Sequence, residues 1–179
     1  GDSQSAIGHL RKMISDNPNE FAARTMLAEL LTATGSYSQA QQQFRKALEL
    51  DPENEHVRLM EIQSRINMLS LTRTKQNPAE WLDIFNELKV METQMPELSS
   101  MALTTANAAI LAGQFDHAED ILSQNEKLFS SDLRFYVATT DLHIARDQRP
   151  QAILSLQKAI RHFPASPQPV AYLAALQRS

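Results

Sequence analysis

Two prolines, Pro18 and Pro52, stand 34 residues apart, and the stretch between them reads as two helical segments joined by a glycine turn rather than as one element. Phe21 to Asn54 runs FAARTMLAELLTATGSYSQAQQQFRKALELDPEN, with Gly35 at the break and Asp51-Pro52 at the close. The pattern returns over 99–132, where Ala106, Gly113, Phe115, Ala118 and Leu122 take the matching slots, and over 133–166, with Tyr136, Ala152, Leu156, Ala159 and Pro164. In the last copy Asp147 stands at the turn where the others have glycine. One such helix pair cannot bury its apolar stripe alone, so a chain with this period must stack its copies side by side.

Both ends carry half units. Ala6, Leu10, Met13 and Pro18 match the second helix of the template, so 3–20 is a half repeat, and Val170, Leu173 and Ala174 make 167–179 a further first helix. Pro52 and Pro96 are 44 residues apart, so the repeat at 55–98 is expanded between its helices. Its first helix extends through Leu71, and the second restarts at Asn77-Pro78-Ala79-Glu80, where Asn caps, Pro suits the first helical turn and Glu complements the dipole. The expected architecture is one all-α domain over 1–179, of about ten helices, cut from a longer protein.

Composition agrees with helix and removes several functions. Hydrophobic residues make up 42% and aromatics 6%, with only 4 glycines among abundant Ala, Leu, Gln and Glu, a mixture that favours helix over strand. A net charge of -4 lacks the positive face needed for phosphates, so no nucleic acid is expected as a partner. No apolar run is long enough to cross a bilayer, so no direct membrane insertion of this segment is expected. With no cysteine there is no disulfide framework, thiolate zinc site or cysteine nucleophile.

The 34-residue unit resembles the tetratricopeptide repeat. Counting Phe21 as position 1, Leu27 falls at 7, Ala28 at 8, Gly35 at 15, Tyr37 at 17, Ala40 at 20, Phe44 at 24, Ala47 at 27 and Pro52 at 32; Arg24 departs from it, standing at position 4 where the family prefers an aromatic. Asn125 and Ser130 depart from it in the third repeat. The resemblance implies a right-handed superhelical solenoid of antiparallel helix pairs, with small residues at 8, 20 and 27 where the helices cross. Ile62, Ile84 and Met91 occupy such slots in the expanded unit and imply wider helix separation there.

Nothing catalytic stands out. His9, His56, His117, His143 and His162 fall in different helices with no metal-binding spacing, and Asp116-His117-Ala118-Glu119-Asp120 reads as a solvated helix start. Trp81 takes position 17 of the expanded unit and reads as core. No cofactor or metal, and no enzymatic activity, is expected.

The family lines its concave groove with positions 2, 5, 9 and 12 of each first helix. Carried over, position 5 gives Thr25, Leu59, Leu103 and Val137, and position 12 gives Thr32, Ile66, Ile110 and Ile144, two mostly apolar rails. Between them position 9 gives Glu29, Gln63, Asn107 and Asp141, while position 2 supplies Ala22, His56, Ser100 and Arg134. Amides at Gln63 and Asn107 suit a peptide backbone while the rails take apolar side chains. The family's clamp for chaperone C-termini needs Lys and Asn at positions 5 and 9; Thr25 and Glu29, followed by Met60, do not provide it.

The implied function is a non-catalytic scaffold or adaptor binding a peptide or partner protein in that groove, within a bacterial envelope or secretion-type assembly, with the periplasm favoured over the cytoplasm. The alternative is a regulatory or tethering region of a larger enzyme or polysaccharide-synthesis or export protein. Oligomeric state is left open.

Overall fold

Three turns set the geometry of the repeats. In a computed structural model of the chain, which describes residues 2–71, 78–94 and 99–178, the side chains of 99 and 100 excepted, Gly35, Gly113 and Asp147 all have left-handed backbone, with φ of 77°, 79° and 59°. Gly35 and Asp147 sit one residue beyond a helix C-cap and Gly113 directly follows a helix, and each makes the same paired closure. Gly35 N–H donates to Thr32 O at 3.0 Å and Ser36 N–H to Leu31 O at 2.8 Å. Gly113 and Gln114 bond to Ile110 and Ala109 in the same way, as do Asp147 and Gln148 to Ile144 and His143. These six-to-one and five-to-two bonds are the Schellman arrangement, which satisfies the orphan carbonyls and reverses the chain.

The described residues form eleven helices and no strand. They fall into two compact units, Gly1–Asn77 and Pro78–Ser179, and the division lies inside the repeat expected to be expanded. The first unit holds α1 (Asp2–Asp16), α2 (Phe21–Ala33), α3 (Tyr37–Leu50) and α4 (Glu55–Leu71). Successive helices pack on one another, and α2 also touches α4, so first helices of adjacent repeats stack. Ile7, Leu27, Ala28, Leu31, Ala40, Phe44, Ala47 and Val57 form its core, with the three template alanines fully buried. Asn54 caps α4 by accepting from Val57 N–H at 3.1 Å. The expected cap at Asn77 lies outside the described residues.

The second unit holds α5 (Pro78–Gln94), α6 (Ser99–Ala112), α7 (Phe115–Gln124), α8 (Glu126–Phe129), α9 (Leu133–Ala145), α10 (Arg149–His162) and α11 (Pro167–Arg178). Here α6 packs on α7 and on α9, the repeat-to-repeat contact again, and α9 on α10. The second helix of this repeat is split at Asn125, which accounts for eleven helices among the described residues where about ten were expected. This residue replaces the template's small apolar one, and its side-chain amide donates to Ile121 O at 2.8 Å, the competition with backbone bonding that makes Asn a poor helix-interior residue. The single turn α8 then drops Phe129 into the core beside Phe135 and Leu122. Trp81 is buried, as expected, against Phe85 with ring centroids 6.4 Å apart. Ile62, Ile84 and Met91 are fully buried.

Candidate binding face

Each groove position lies where its helix puts it, but exposure differs from one to the next. In the first unit, Thr25 is buried and its hydroxyl donates to Phe21 O at 3.1 Å; Thr32 is half-buried and donates to Ala28 O at 2.9 Å. Both hydroxyl protons are therefore committed to backbone. Glu29 and Gln63 are half-buried and His56 is exposed, whereas Leu59 and Ile66 are buried.

In the second unit, Leu103 and Ile110 belong to the core cluster, together with Ala106, Phe135 and Leu142. Asn107 and Val137 are half-buried, and Ile144 is the most open of the apolar positions at 38% exposed. The Ser100 side chain lies outside the described residues. The rails expected to be exposed are thus mostly internal. Because α6 packs directly on α9, the apolar side chains at positions 5 and 12 of α6 are used up in the seam. The polar rung and the outer end of the α9 rail stay accessible.

Two charged positions of this face already have partners. Arg134 is exposed and paired with Asp132, Nη2 to Oδ2 at 2.6 Å, while Asp132 caps α9 by accepting from Arg134 N–H at 2.9 Å. These bonds hold the Asp132 carboxyl below its ordinary range and the Arg134 guanidinium above its own. Asp141 accepts a hydrogen bond from the Tyr172 hydroxyl of α11. Burial raises the Asp141 pKa, partly countered by that bond, and burial with the nearby carboxylate raises the Tyr172 pKa. The terminal helix therefore supplies a side chain to the face of the preceding repeat. A polar residue at position 6 of a helix otherwise matching the template was the sequence signal for it.

A second pattern links the repeats. Arg24 donates through Nε to Pro18 O at 2.9 Å, Arg58 through Nη2 to Pro52 O at 2.6 Å, and Tyr136 through its hydroxyl to Ser130 O at 3.1 Å. In each case position 4 reaches back six residues to the carbonyl at position 32 of the preceding unit. Arg24 thus replaces the aromatic by keeping the donor. Asp116 and Glu119, expected to be merely solvated, both hold Arg146 of the next repeat, at 2.6 and 2.5 Å. No group of three or more His, Asp or Glu side chains is arranged to hold a metal ion among the described residues. No helix among them is long and apolar enough to cross a membrane.

Helix pairs that stack first helix on first helix, three of them reversed by the same closure, define a helical-repeat solenoid. Residues 1–65 match the family described as tetratricopeptide repeat, and the fold of the whole chain is that of solved tetratricopeptide repeat proteins. A thermophilic tetratricopeptide protein of Thermus thermophilus aligns with a TM-score of 0.79 at 17% identity, covering 100% of this chain and 92% of that one. A tetratricopeptide repeat protein from Parabacteroides merdae aligns at 0.75 with 15% identity over 99% of this chain, which spans only 65% of that protein. PilW, a widely conserved type IV pilus biogenesis factor, aligns at 0.67 with 17% identity, covering 99% and 82% of the two chains. No curated protein matches the chain in sequence.

Proposed function

We propose that the chain is a non-catalytic scaffold that binds a peptide or partner protein along the face shared by its first helices. The observation that carries this is the direct stacking of α2 on α4 and of α6 on α9, which puts positions 2, 5, 9 and 12 of neighbouring repeats on one side within each unit. On α9 that side presents half-buried Val137, exposed Ile144 and the Asp141 carboxylate, with the Asn107 amide on α6. These are the apolar and backbone-pairing groups that peptide grooves use. Likeness in fold to a type IV pilus biogenesis factor favours a place in a bacterial envelope or secretion-type assembly, and the periplasm as compartment is part of this proposal.

The test is set by burial. Leu103 and Ile110 are core residues, and aspartate there would unfold the unit, whereas Ile144 and Arg134 are accessible. Partner capture by the wild type is compared with that by an Ile144→Asp, Asn107→Ala double variant of equal helicity. Loss of the wild-type partners is expected, and undiminished capture would reject this face.

A further inference from the structure

The second unit contains a cavity of about 510 Å³ between α7–α8 and α10, floored by α9. Its counterpart in the first unit, between α1 and α3 over α2, measures about 270 Å³. The two occupy the same place in the repeat. Arg24 and Tyr136 are both at position 4, Gln43 and Ser155 at 23, Arg11 and Ser123 at 25, Lys46 and Lys158 at 26.

The difference lies in what spans the gap. In the first unit Arg11 of α1 reaches Gln39 of α3 at 2.9 Å, and Arg24 reaches Gln43 at 3.1 Å, so the protein's own side chains cross it. In the second unit the serines bond back to their own helices, Ser123 to Asp120 O and Ser155 to Gln151 O, both at 3.1 Å.

What lines the open cleft has a definite chemistry. Lys158 and Arg161 of α10 are exposed and make no hydrogen bond or ion pair among the described residues. Across from them Glu119 is committed to Arg146, which leaves Glu126 as the acidic counterweight to two cations. The floor carries an apolar patch beside Thr139 and His143: Tyr136 and Leu142 are buried, with His162 stacked on the Tyr136 ring at 5.4 Å. The walls run from Glu119 to Glu126 and from Ser155 to His162, about 10 Å of helix, the span of roughly three extended residues. An elongated open trough suits a chain segment better than a compact ligand.

We propose that this cleft is a second binding site, taking a peptide segment that presents a carboxylate to Lys158 and Arg161 and an adjacent apolar side chain to the Tyr136–Leu142 floor. It is separate from the face described above. On α9 the floor residues Tyr136, Thr139 and His143 point about 130° away from Val137, Asp141 and Ile144, at about 100° per residue.

A labelled positional-scanning octapeptide library, read by fluorescence anisotropy against the full chain, tests this. Peptides pairing Asp or Glu with a large apolar neighbour are expected to be selected. A Ser123→Arg, Ser155→Gln variant, which refills the gap as the first unit does, should bind them about tenfold more weakly or worse. A Lys158→Glu, Arg161→Glu variant should shift selection to basic peptides. Ile144→Asp should leave binding unchanged. No selected motif, equal binding to the refilled variant, or selection unaffected by charge reversal would each overturn the proposal, as would loss of binding in Ile144→Asp.

Discussion

At the scale of single residues, the left-handed turn position separates backbone strain from packing. A Cβ placed on Gly35 or Gly113 would meet nothing within 4 Å, so only the conformational penalty of a side chain at positive φ applies. Gly35→Ala and Gly113→Ala should each lower stability by about 1 kcal/mol. Asp147→Gly should do the reverse and raise it by up to about 1 kcal/mol, both read from urea midpoints. The carbonyl at position 32 offers a matching case: Tyr136→Phe removes its donor and should cost about 1 kcal/mol.

Asp141 sets a pH dependence. Burial keeps its folded pKa above the ordinary 3.8, so the folded state holds the proton more tightly than the unfolded chain. The associated stability is present below that ordinary value and is lost as pH rises through the folded one. Asp141→Asn should therefore gain on the wild type as pH rises from below 3.8 to neutral in paired urea titrations. A difference that stays constant or shrinks over that interval would contradict the burial of the carboxylate.

At the scale of helices, much was readable in advance and some was not. Gly35, Gly113 and the prolines mark boundaries because φ and missing donors act locally, and the buried Ala28, Ala40 and Ala47 follow from a repeat read in register. The split at Asn125 was visible only as a departure from the template, since whether a helix yields there depends on Phe129 finding room in the core. Exposure of the rails was not readable at all. Leu103 and Ile110 carry the same apolar signal whether they face solvent or the neighbouring repeat, and a contact made a full repeat along the chain decides it. Tyr172 stood out only as a polar-tipped residue at position 6, and its partner Asp141, almost a full repeat away along the chain, was not readable. Close packing at the alanines gives a test at this scale: Ala47→Leu and Ala118→Leu, at fully buried crossings, should each lose about 1–3 kcal/mol by overpacking.

At the scale of the molecule, two units built on one template differ chiefly in what their repeated surfaces leave available. The first unit bridges its inter-repeat gap with Arg11 and Arg24, and the second keeps that gap open while Tyr172 closes over Asp141. Scaffolds of stacked helices work through such surfaces, since stability is spread over neighbour contacts and no single site needs strain. The most direct measurement places a photo-crosslinking residue at Ile144 and, separately, at the exposed Leu82 of α5, which borders neither proposed site. Binding along the first-helix face requires that the same partner be captured at 144 and not at 82. Equal capture at both positions, or capture at 82 alone, would contradict it.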